Sequence, residues 1–434
     1  MANMEFKCPC CGGALQFDNK SQNIVCPYCD SSFSADDLKA YTDELAEEGI
    51  EDTSWDESSV RAYSTEELKG MKVYTCNSCG GEIIVDATTS STSCPYCNNN
   101  ILVSKELSGD LKPNYIIPFK KDKEFAKTAL KSFFKKKILL PSSFSKENVI
   151  EEIKPLYVPF WLFDADVSGK VRFRGERYRS WSDSEYTYRE TSYYSITRAG
   201  DIAFSHVPVD GSLKMEDELM ESIEPYNFNE VEEFNAAYLA GYAADRYDVS
   251  KEETFTRATS RIREGTVMAF KNDISGYSNI QVMDSNINLS NTSAKYALYP
   301  VWILNTKWND EKFRFAINGQ TGKIAGNLPI SMLKAILVWL ISFLVIGGLA
   351  TLLSFLIDKE NIATGIVVSL IIGIIFATII LLALWKVNKN VRFQRGAQSY
   401  IRSGSLNIKT RRSIFLYKKV SRTRRAQSSN NNRR

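Results

Sequence analysis

Residues 74–97 read YTCNSCGGEIIVDATTSSTSCPYC, and residues 6–29 read FKCPCCGGALQFDNKSQNIVCPYC. The two segments are copies of one motif at a constant offset of 68 residues, and each has two CxxC pairs 14 residues apart. This spacing is typical of four-cysteine zinc sites, in which thiolates surround the metal tetrahedrally at about 2.3 Å. A segment of roughly 30 residues has too small an apolar core to fold without such a metal. The sequence therefore predicts two zinc ribbons, at residues 1–33 and 73–104.

The repeat assigns eight metal ligands and therefore two Zn²⁺ ions per chain. The ligands are Cys8, Cys11, Cys26 and Cys29 in the first copy, and Cys76, Cys79, Cys94 and Cys97 in the second. Cys10 is predicted to be a bystander thiol, because Ser78 occupies its place in the second copy. The alternative is a redox-active CxxC pair, which is expected in a βαβ setting that this pattern lacks. Thiolates that bind metal indicate a reducing compartment.

Two long apolar runs follow near the other end of the chain. Residues 335–357 and 362–385 carry no charge, and each is long enough to cross a hydrocarbon core about 30 Å thick. The sequence predicts a two-helix transmembrane hairpin at residues 330–385, with a pair of buried core helices as the alternative. Basic residues flank both ends of the hairpin, at Lys334 and Lys386. We therefore expect the protein to lie in the cell membrane with both termini in the cytoplasm.

Charge is distributed unevenly along the chain. Residues 386–434 hold fifteen basic and no acidic residues, so the overall charge of +3 leaves −12 for the rest. This basic segment is interpreted as a cytoplasmic tail. Three alternatives remain for it: a disordered tail, a segment that contacts anionic lipid, or a segment that binds RNA or an acidic protein surface. Residues 34–72 contain twelve acidic and four basic residues and one aromatic ring of interest, Trp55. This acidic linker is expected to be a solvated spacer or a docking segment for a basic partner or the chain's own tail.

The middle of the chain, residues 105–329, has the pattern of one cytoplasmic α+β domain with a repeated strand motif. Pro159 and Trp161 recur as Pro300 and Trp302 at an offset of 141, and alternating residues follow both copies. Strands are predicted at 171–173, 186–195 and 313–317, with a hairpin turn at 318–322. Helices are predicted at 122–137, 229–247 and 251–271.

The same region offers few residues for catalysis. The single histidine, His206, lies four residues before Asp210, and the two could pair at a strand end. No nucleophile elbow, phosphate loop or HExxH motif accompanies them, so His206 is expected to be structural or at the surface. The acidic cluster of Glu216, Asp217, Glu218 and Glu221 is interpreted as the first turn of a helix, where carboxylates suit the helix dipole. The sequence predicts that the protein is not an enzyme.

Several of these motifs together carry a family resemblance. They are CxxCGG at 76–81 with CPYC at 94–97, IPF at 117–119, YVPFW at 157–161 and NGQTGK at 318–323. With the helix hairpin after them, the chain resembles bacterial membrane proteins with TFIIB-type zinc ribbons, mostly Gram-positive and of poorly defined function. The resemblance implies a membrane anchor for envelope-stress systems, with SPFH-domain or phage-shock-type partners.

The sequence leaves two candidate functions. The favoured one is a membrane-anchored zinc-ribbon scaffold or adaptor that recruits cytoplasmic proteins. The alternative is a membrane-associated nucleic-acid-binding protein that uses the ribbons and the basic tail. Nucleic-acid-binding ribbons usually display clustered basic residues. Here residues 8–29 contain only Lys20, and residues 76–97 contain no basic residue, which disfavours binding of nucleic acid by the ribbons.

Overall fold

The computed structural model describes residues 8–9, 13–18, 23–28, 31–34, 38, 55–56, 58–64, 71–86, 92–101, 104–106, 111–145, 150, 152–249, 251–309, 311–357, 362–388 and 396–425. Within them the protein has a mixed α+β architecture, with a cysteine cluster toward the N-terminus and two apolar helices toward the C-terminus. The α-helices are α1 (Lys123–Lys135), α2 (Asp217–Ile223), α3 (Lys251–Asn272), α4 (Met332–Ile357) and α5 (Ile362–Asn388).

The strands of these residues vary from two to thirty residues in length. They are β1 (Gln16–Asp18), β2 (Asn23–Val25), β3 (Ser32–Phe33), β4 (Arg61–Ala62), β5 (Met71–Thr75), β6 (Glu82–Asp86), β7 (Thr92–Ser93), β8 (Asn100–Ile101), β9 (Ser104–Glu106), β10 (Leu111–Lys112), β11 (Tyr115–Ile116), β12 (Lys154–Ser182), β13 (Tyr186–Asp210), β14 (Glu232–Glu233), β15 (Ala243–Asp245), β16 (Asn279–Trp308), β17 (Glu311–Asn318), β18 (Ile324–Gly326) and β19 (Asn407–Arg424).

Four long antiparallel strands form the centre of a 12-stranded sheet, in the order β16, β12, β13 and β19. The 29 residues of β12 correspond to about 95 Å of extended chain at about 3.3 Å per residue. The register shifts between Phe163 and Ala165 of β12, where β13 has one extra residue, and between Tyr193 and Tyr194 of β13, where β19 has one extra residue. Such bulges increase the local twist of the strands. The expected strands at 171–173, 186–195 and 313–317 all lie in this sheet.

One face of the long strands is covered by α3. Val171 and Phe173 on β12 and Ile196 on β13 are buried together with Ala258 and Ile262 of the helix. The expected helix at 251–271 is therefore present, and its apolar side is what holds it on the sheet. Burial of each large apolar side chain stabilises the fold by about 1.5–3 kcal/mol.

A second apolar cluster joins the sheet to the base of the apolar helices. The α1 helix begins after Asp122, whose side chain accepts a hydrogen bond from the Phe125 amide, and it buries Leu130 and Phe134 against Trp302. Leu140, in the same cluster, accepts a hydrogen bond from Lys334 Nζ at 2.6 Å, three residues into α4. The helices therefore leave the sheet at the end where β12 begins.

The two apolar helices pack closely against each other. A Cβ added at Gly373 would lie 3.2 Å from the Gly347 Cα, so the small residues allow close contact of the two backbones. Both helices are long and apolar enough to cross a membrane, and most of their large side chains are exposed, as Leu333 is at 83%. A core helix of a soluble protein would bury such side chains, which disfavours the alternative interpretation.

Two interpretations of the sequence are wrong. Residues 229–247 do not form a long helix; they form 3₁₀ turns at Phe228–Glu230 and Ala236–Leu239 and the short strands β14 and β15. Residues 407–424 are not a disordered tail, because they form β19, an edge strand paired with β13. Residues 407–424 of the basic segment therefore belong to the same sheet as the α+β region.

Part of the acidic linker also packs on the sheet. The ring of Trp55 lies 4.8 Å from that of Phe163 and 6.2 Å from that of Phe255, measured between centroids. The Ala294 amide donates to the Asp56 carbonyl at 2.9 Å, and Ser59 Oγ donates to the Ala294 carbonyl at 3.1 Å. Trp55, Asp56 and Ser59 are thus docked on β12, α3 and β16.

Candidate metal centre

Each CxxC pair of the second copy sits in a tight turn closed by backbone hydrogen bonds. The Cys76 amide donates to the Gly81 carbonyl at 2.8 Å, and the Gly80 amide returns a bond to the Cys76 carbonyl at 2.7 Å. Gly80 has φ +69°, a conformation that glycine adopts without strain. At the second pair the corresponding positive φ, +65°, belongs to Asn98, the other residue type that tolerates it.

These turns bring all four sulfurs of the second copy together. The Sγ atoms of Cys76, Cys79, Cys94 and Cys97 all lie within 4.8 Å of one another. Cys76 and Cys97 are separated by 3.5 Å and Cys79 and Cys94 by 3.6 Å between sulfurs. A tetrahedron with metal–sulfur bonds of about 2.3 Å has sulfurs about 3.8 Å apart. The four side chains therefore fit a single metal ion with all four positions filled by protein.

The electrostatic surroundings suit a cluster of thiolates. Burial raises the pKa of the Cys94 thiol, so a thiolate there needs positive charge close by. Lys154 Nζ donates to the Cys94 carbonyl at 3.1 Å, and Lys214 Nζ donates to the Cys79 carbonyl at 2.9 Å. Four thiolates around one divalent ion carry a net charge of −2, which these two ammonium groups offset.

The cysteine cluster is not a separate domain. Its hairpin, β5 and β6, extends the large sheet because β6 pairs with β15. Asn305 on β16 donates to the Pro95 carbonyl, and the Arg314 guanidinium lies 5.9 Å from the centroid of the Tyr96 ring. The cysteine turns are therefore held by strands that are more than 100 residues away in sequence.

The first copy repeats the local geometry of the second where the structure describes it. The Cys8 amide donates to the Gly13 carbonyl at 2.7 Å, as Cys76 does to Gly81. A Cβ on Gly13 would lie 2.6 Å from the Tyr28 ring, and one on Gly81 would lie 2.7 Å from the Tyr96 ring. Cys8 and Cys26 are buried at 3% and 0% exposure. Cys10, Cys11 and Cys29 lie outside the described residues.

The first copy docks on β19. Phe33 and Leu38 are buried in one cluster with Leu416 and Tyr417, and the Tyr417 ring stacks on that of Tyr193 with centroids 4.5 Å apart. The apolar run at 414–417, within the basic segment, supplies the Leu416 and Tyr417 side chains.

His206 and Asp210, which could have paired at a strand end, have different partners. His206 has φ +57°, stacks on Phe228 with ring centroids 3.4 Å apart, and has Asp164 as its nearest carboxylate, at 3.9 Å from Nε2. Burial lowers the pKa of His206, so the ring is neutral at pH 7. Asp210 instead accepts a hydrogen bond from Arg257 at 3.0 Å. The acidic cluster at 216–221 begins α2, as predicted, and Asp217 also pairs with Arg257.

Sequence reasoning missed a buried ion pair behind α2. Arg261 on α3 donates two hydrogen bonds to Glu224, at 3.0 and 2.7 Å, and both side chains are at most 5% exposed. Tyr400, which follows α5 in the chain, donates to the same carboxylate at 3.0 Å. No local pattern could reveal it, because the three residues come from separate parts of the chain.

Comparison with known proteins gives one informative result. No protein-family profile matches the chain, and no solved structure matches it. A protein of Bacillus subtilis (strain 168), described as uncharacterized protein YdjG, is 33% identical over 328 residues, which cover 76% of this chain and 91% of the relative. Since the identity extends over nearly all of the relative, the chain belongs to the same family as YdjG of Bacillus subtilis.

Proposed function

We propose that the protein is a membrane-anchored scaffold or adaptor that recruits cytoplasmic proteins to the bacterial membrane. The observation that carries this proposal is the shape of the sheet. The apolar helices join it beside Leu140 and Trp302, where β12 begins, and β12 continues for another 28 residues beyond Lys154. A membrane anchor at one end and long exposed strands at the other suit a platform that presents binding surfaces away from the bilayer.

The metal sites of this proposal are structural zinc sites, two per chain. Four thiolates in a closed set leave no open position for a substrate or water, which distinguishes structural from catalytic zinc. The second site would use Cys76, Cys79, Cys94 and Cys97, and the first would use Cys8, Cys11, Cys26 and Cys29. In each ribbon the metal would take over the role that an apolar core plays in a larger domain.

The orientation of this proposal follows from the flanking charges. Lys334 at the start of the hairpin and Lys386 at its end would both lie on the cytoplasmic side. A reporter enzyme fused to either terminus should then behave as cytoplasmic. An impermeant reagent should label a cysteine introduced at residue 361, between the helices, from outside the cell. Protection of that cysteine would refute a spanning hairpin.

The partner class comes from the family resemblance: a cytoplasmic SPFH-domain or phage-shock-type protein, with envelope stress as the setting. Affinity purification of the full chain from membranes, with identification of bound proteins, tests the proposal. We expect a defined cytoplasmic protein to co-purify with the intact chain and with a Cys10→Ser control. The double variant Cys76→Ser, Cys94→Ser should no longer co-purify with this protein. Membranes that yield no co-purifying cytoplasmic protein under mild detergent would contradict the adaptor function.

A further inference from the structure

The far end of the sheet exposes a basic and aromatic face. Every second residue of β12 lies on the same side of the strand, and Arg177, Arg179 and Trp181 share one side. Nearer the middle of the strand, α3 covers this same side at Phe173. Tyr188 on β13 is the register partner of Trp181, and Arg422 on β19 is the register partner of Tyr188. We call this surface, together with Arg424, the distal face.

Contacts between the side chains confirm that they share one face. The rings of Trp181 and Tyr188 are stacked, with centroids 5.5 Å apart and an interplanar angle of 8°. The Arg179 guanidinium lies 5.9 Å from the Trp181 ring, and that of Arg422 lies 5.2 Å from the Tyr186 ring. Trp181 remains 41% exposed, and Arg177, Arg179, Arg422 and Arg424 are all exposed.

The charge of the face is strongly positive. Besides its four arginines the face holds Lys418, whose Nζ lies 3.1 Å from a carboxylate oxygen of Glu190. Among the described residues of β12, β13 and β19, Glu190 is the one carboxylate that the strand alternation places on this face. Flat aromatic rings beside arginines on an open sheet suit single-stranded nucleic acid, whose bases stack on rings while its phosphates contact the cations.

Two observations favour nucleic acid over a lipid surface. The turn that would enter a bilayer first, between β12 and β13, is polar and contains Asp183 and Glu185, both exposed. Hydrogen bonds from the Tyr186 and Glu185 amides lower the pKa of Asp183, so it keeps its charge. Furthermore, about 75 Å of strand, at about 3.3 Å per residue, separates Arg177 from Lys154, near which the apolar helices are attached.

We propose that the distal face binds single-stranded nucleic acid without sequence preference, with Trp181 and Tyr188 as the stacking platform and the arginines as phosphate contacts. The site differs from a ribbon site, since Lys20 is the one basic residue of segment 8–29 and segment 76–97 has none. It also adds to the adaptor function rather than depending on it. The tail alone would not form it, because the aromatic rings come from β12 and β13.

The test uses the full chain in nanodiscs of neutral lipid and a fluorescently labelled 15-nucleotide oligouridine, with binding followed by anisotropy. Trp181→Ala should weaken binding at least about fivefold, and Trp181→Phe should retain most of it. Arg179→Ala with Arg422→Ala should weaken binding and reduce the slope of log affinity against log salt by about 1.4. Lys123→Ala with Lys131→Ala, which removes the same charge from α1, is the matched control and should change little.

Three results would overturn the proposal. One is the absence of binding at low salt. Another is binding that responds equally to the α1 control and to the Arg179 and Arg422 substitutions, which would indicate general charge attraction. The third is displacement of the oligonucleotide by phosphatidylglycerol vesicles at an equal or lower concentration of phosphate groups, which would make the face a lipid-binding surface.

Discussion

Glu224→Gln should destabilise the junction between α3 and the segment after α5. The Glu224 carboxylate accepts two hydrogen bonds from Arg261 and one from Tyr400, and its side chain is 1% exposed. The substitution keeps the shape of the side chain but removes the carboxylate that is hydrogen-bonded to the buried Arg261 guanidinium. Removing one partner of such a pair costs about 3–5 kcal/mol. Tyr400→Phe removes one hydrogen bond to a charged group and should cost about 1.5–3 kcal/mol.

Native-state hydrogen exchange of the α3 amides measures this effect where it arises. The opening free energy around Arg261 should fall by the stated amount in Glu224→Gln, and a loss of about 3 kcal/mol corresponds to about 150-fold faster exchange. Adding Arg261→Met removes the buried charge, so the double variant should exchange more slowly than Glu224→Gln alone. A loss below about 1 kcal/mol in Glu224→Gln, or a double variant that is no better, would refute the ion pair as a structural link.

Three further predictions follow from buried groups and close contacts. Burial raises the pKa of Glu221 from 4.5 to about 7; because the folded state then binds the extra proton, the opening free energy of α2 should fall as pH rises from about 4.5 to 7, by up to about 1.4 kcal/mol per pH unit. Glu221→Gln should flatten that dependence in hydrogen exchange, and an unchanged slope would assign it to another group. A Cβ on Gly200 would lie 2.1 Å from the Asn407 carbonyl oxygen, so Gly200→Ala should detach the start of β19 and speed tryptic cleavage at Arg411, whereas Gly348→Ala, with open space around it, should not. Trp55→Ala should cost about 2–3 kcal/mol, less than the 3–5 kcal/mol of a fully buried ring, and should speed tryptic cleavage after Arg61 by releasing the segment from the sheet; equal cleavage of both proteins would show that Trp55 does not hold the linker.

Local patterns predicted the parts of this fold that depend on near neighbours. The CxxC turns need only a few residues and a glycine, and the apolar helices need only a long run without charge, so both could be inferred from the sequence. The expected helix at 229–247 failed for an equally local reason. Asn227 and Asn235 each accept a hydrogen bond from the amide two residues ahead, and Gly241 has φ +79°. Such bonds stabilise turns in competition with a helix.

Non-local pairing explains what the sequence could not predict. The β19 strand pairs with residues that precede it by more than 200 positions. Its alternation is also interrupted, because the register shifts between Tyr193 and Tyr194 and again between Ala199 and Gly200. A period-2 pattern broken twice, in a segment rich in arginine, is typical of a tail as much as of a strand. The candidate site was more predictable, because the repeat itself paired the cysteines that the fold brings together.

Metal analysis of the purified full chain is the direct test of the two zinc sites. We expect about two zinc ions per chain, unchanged in Cys10→Ser and reduced to about one in the double variant Cys76→Ser, Cys94→Ser. Retention of two zinc ions in that double variant, or a wild-type chain that contains no zinc when purified under reducing conditions, would contradict this expectation.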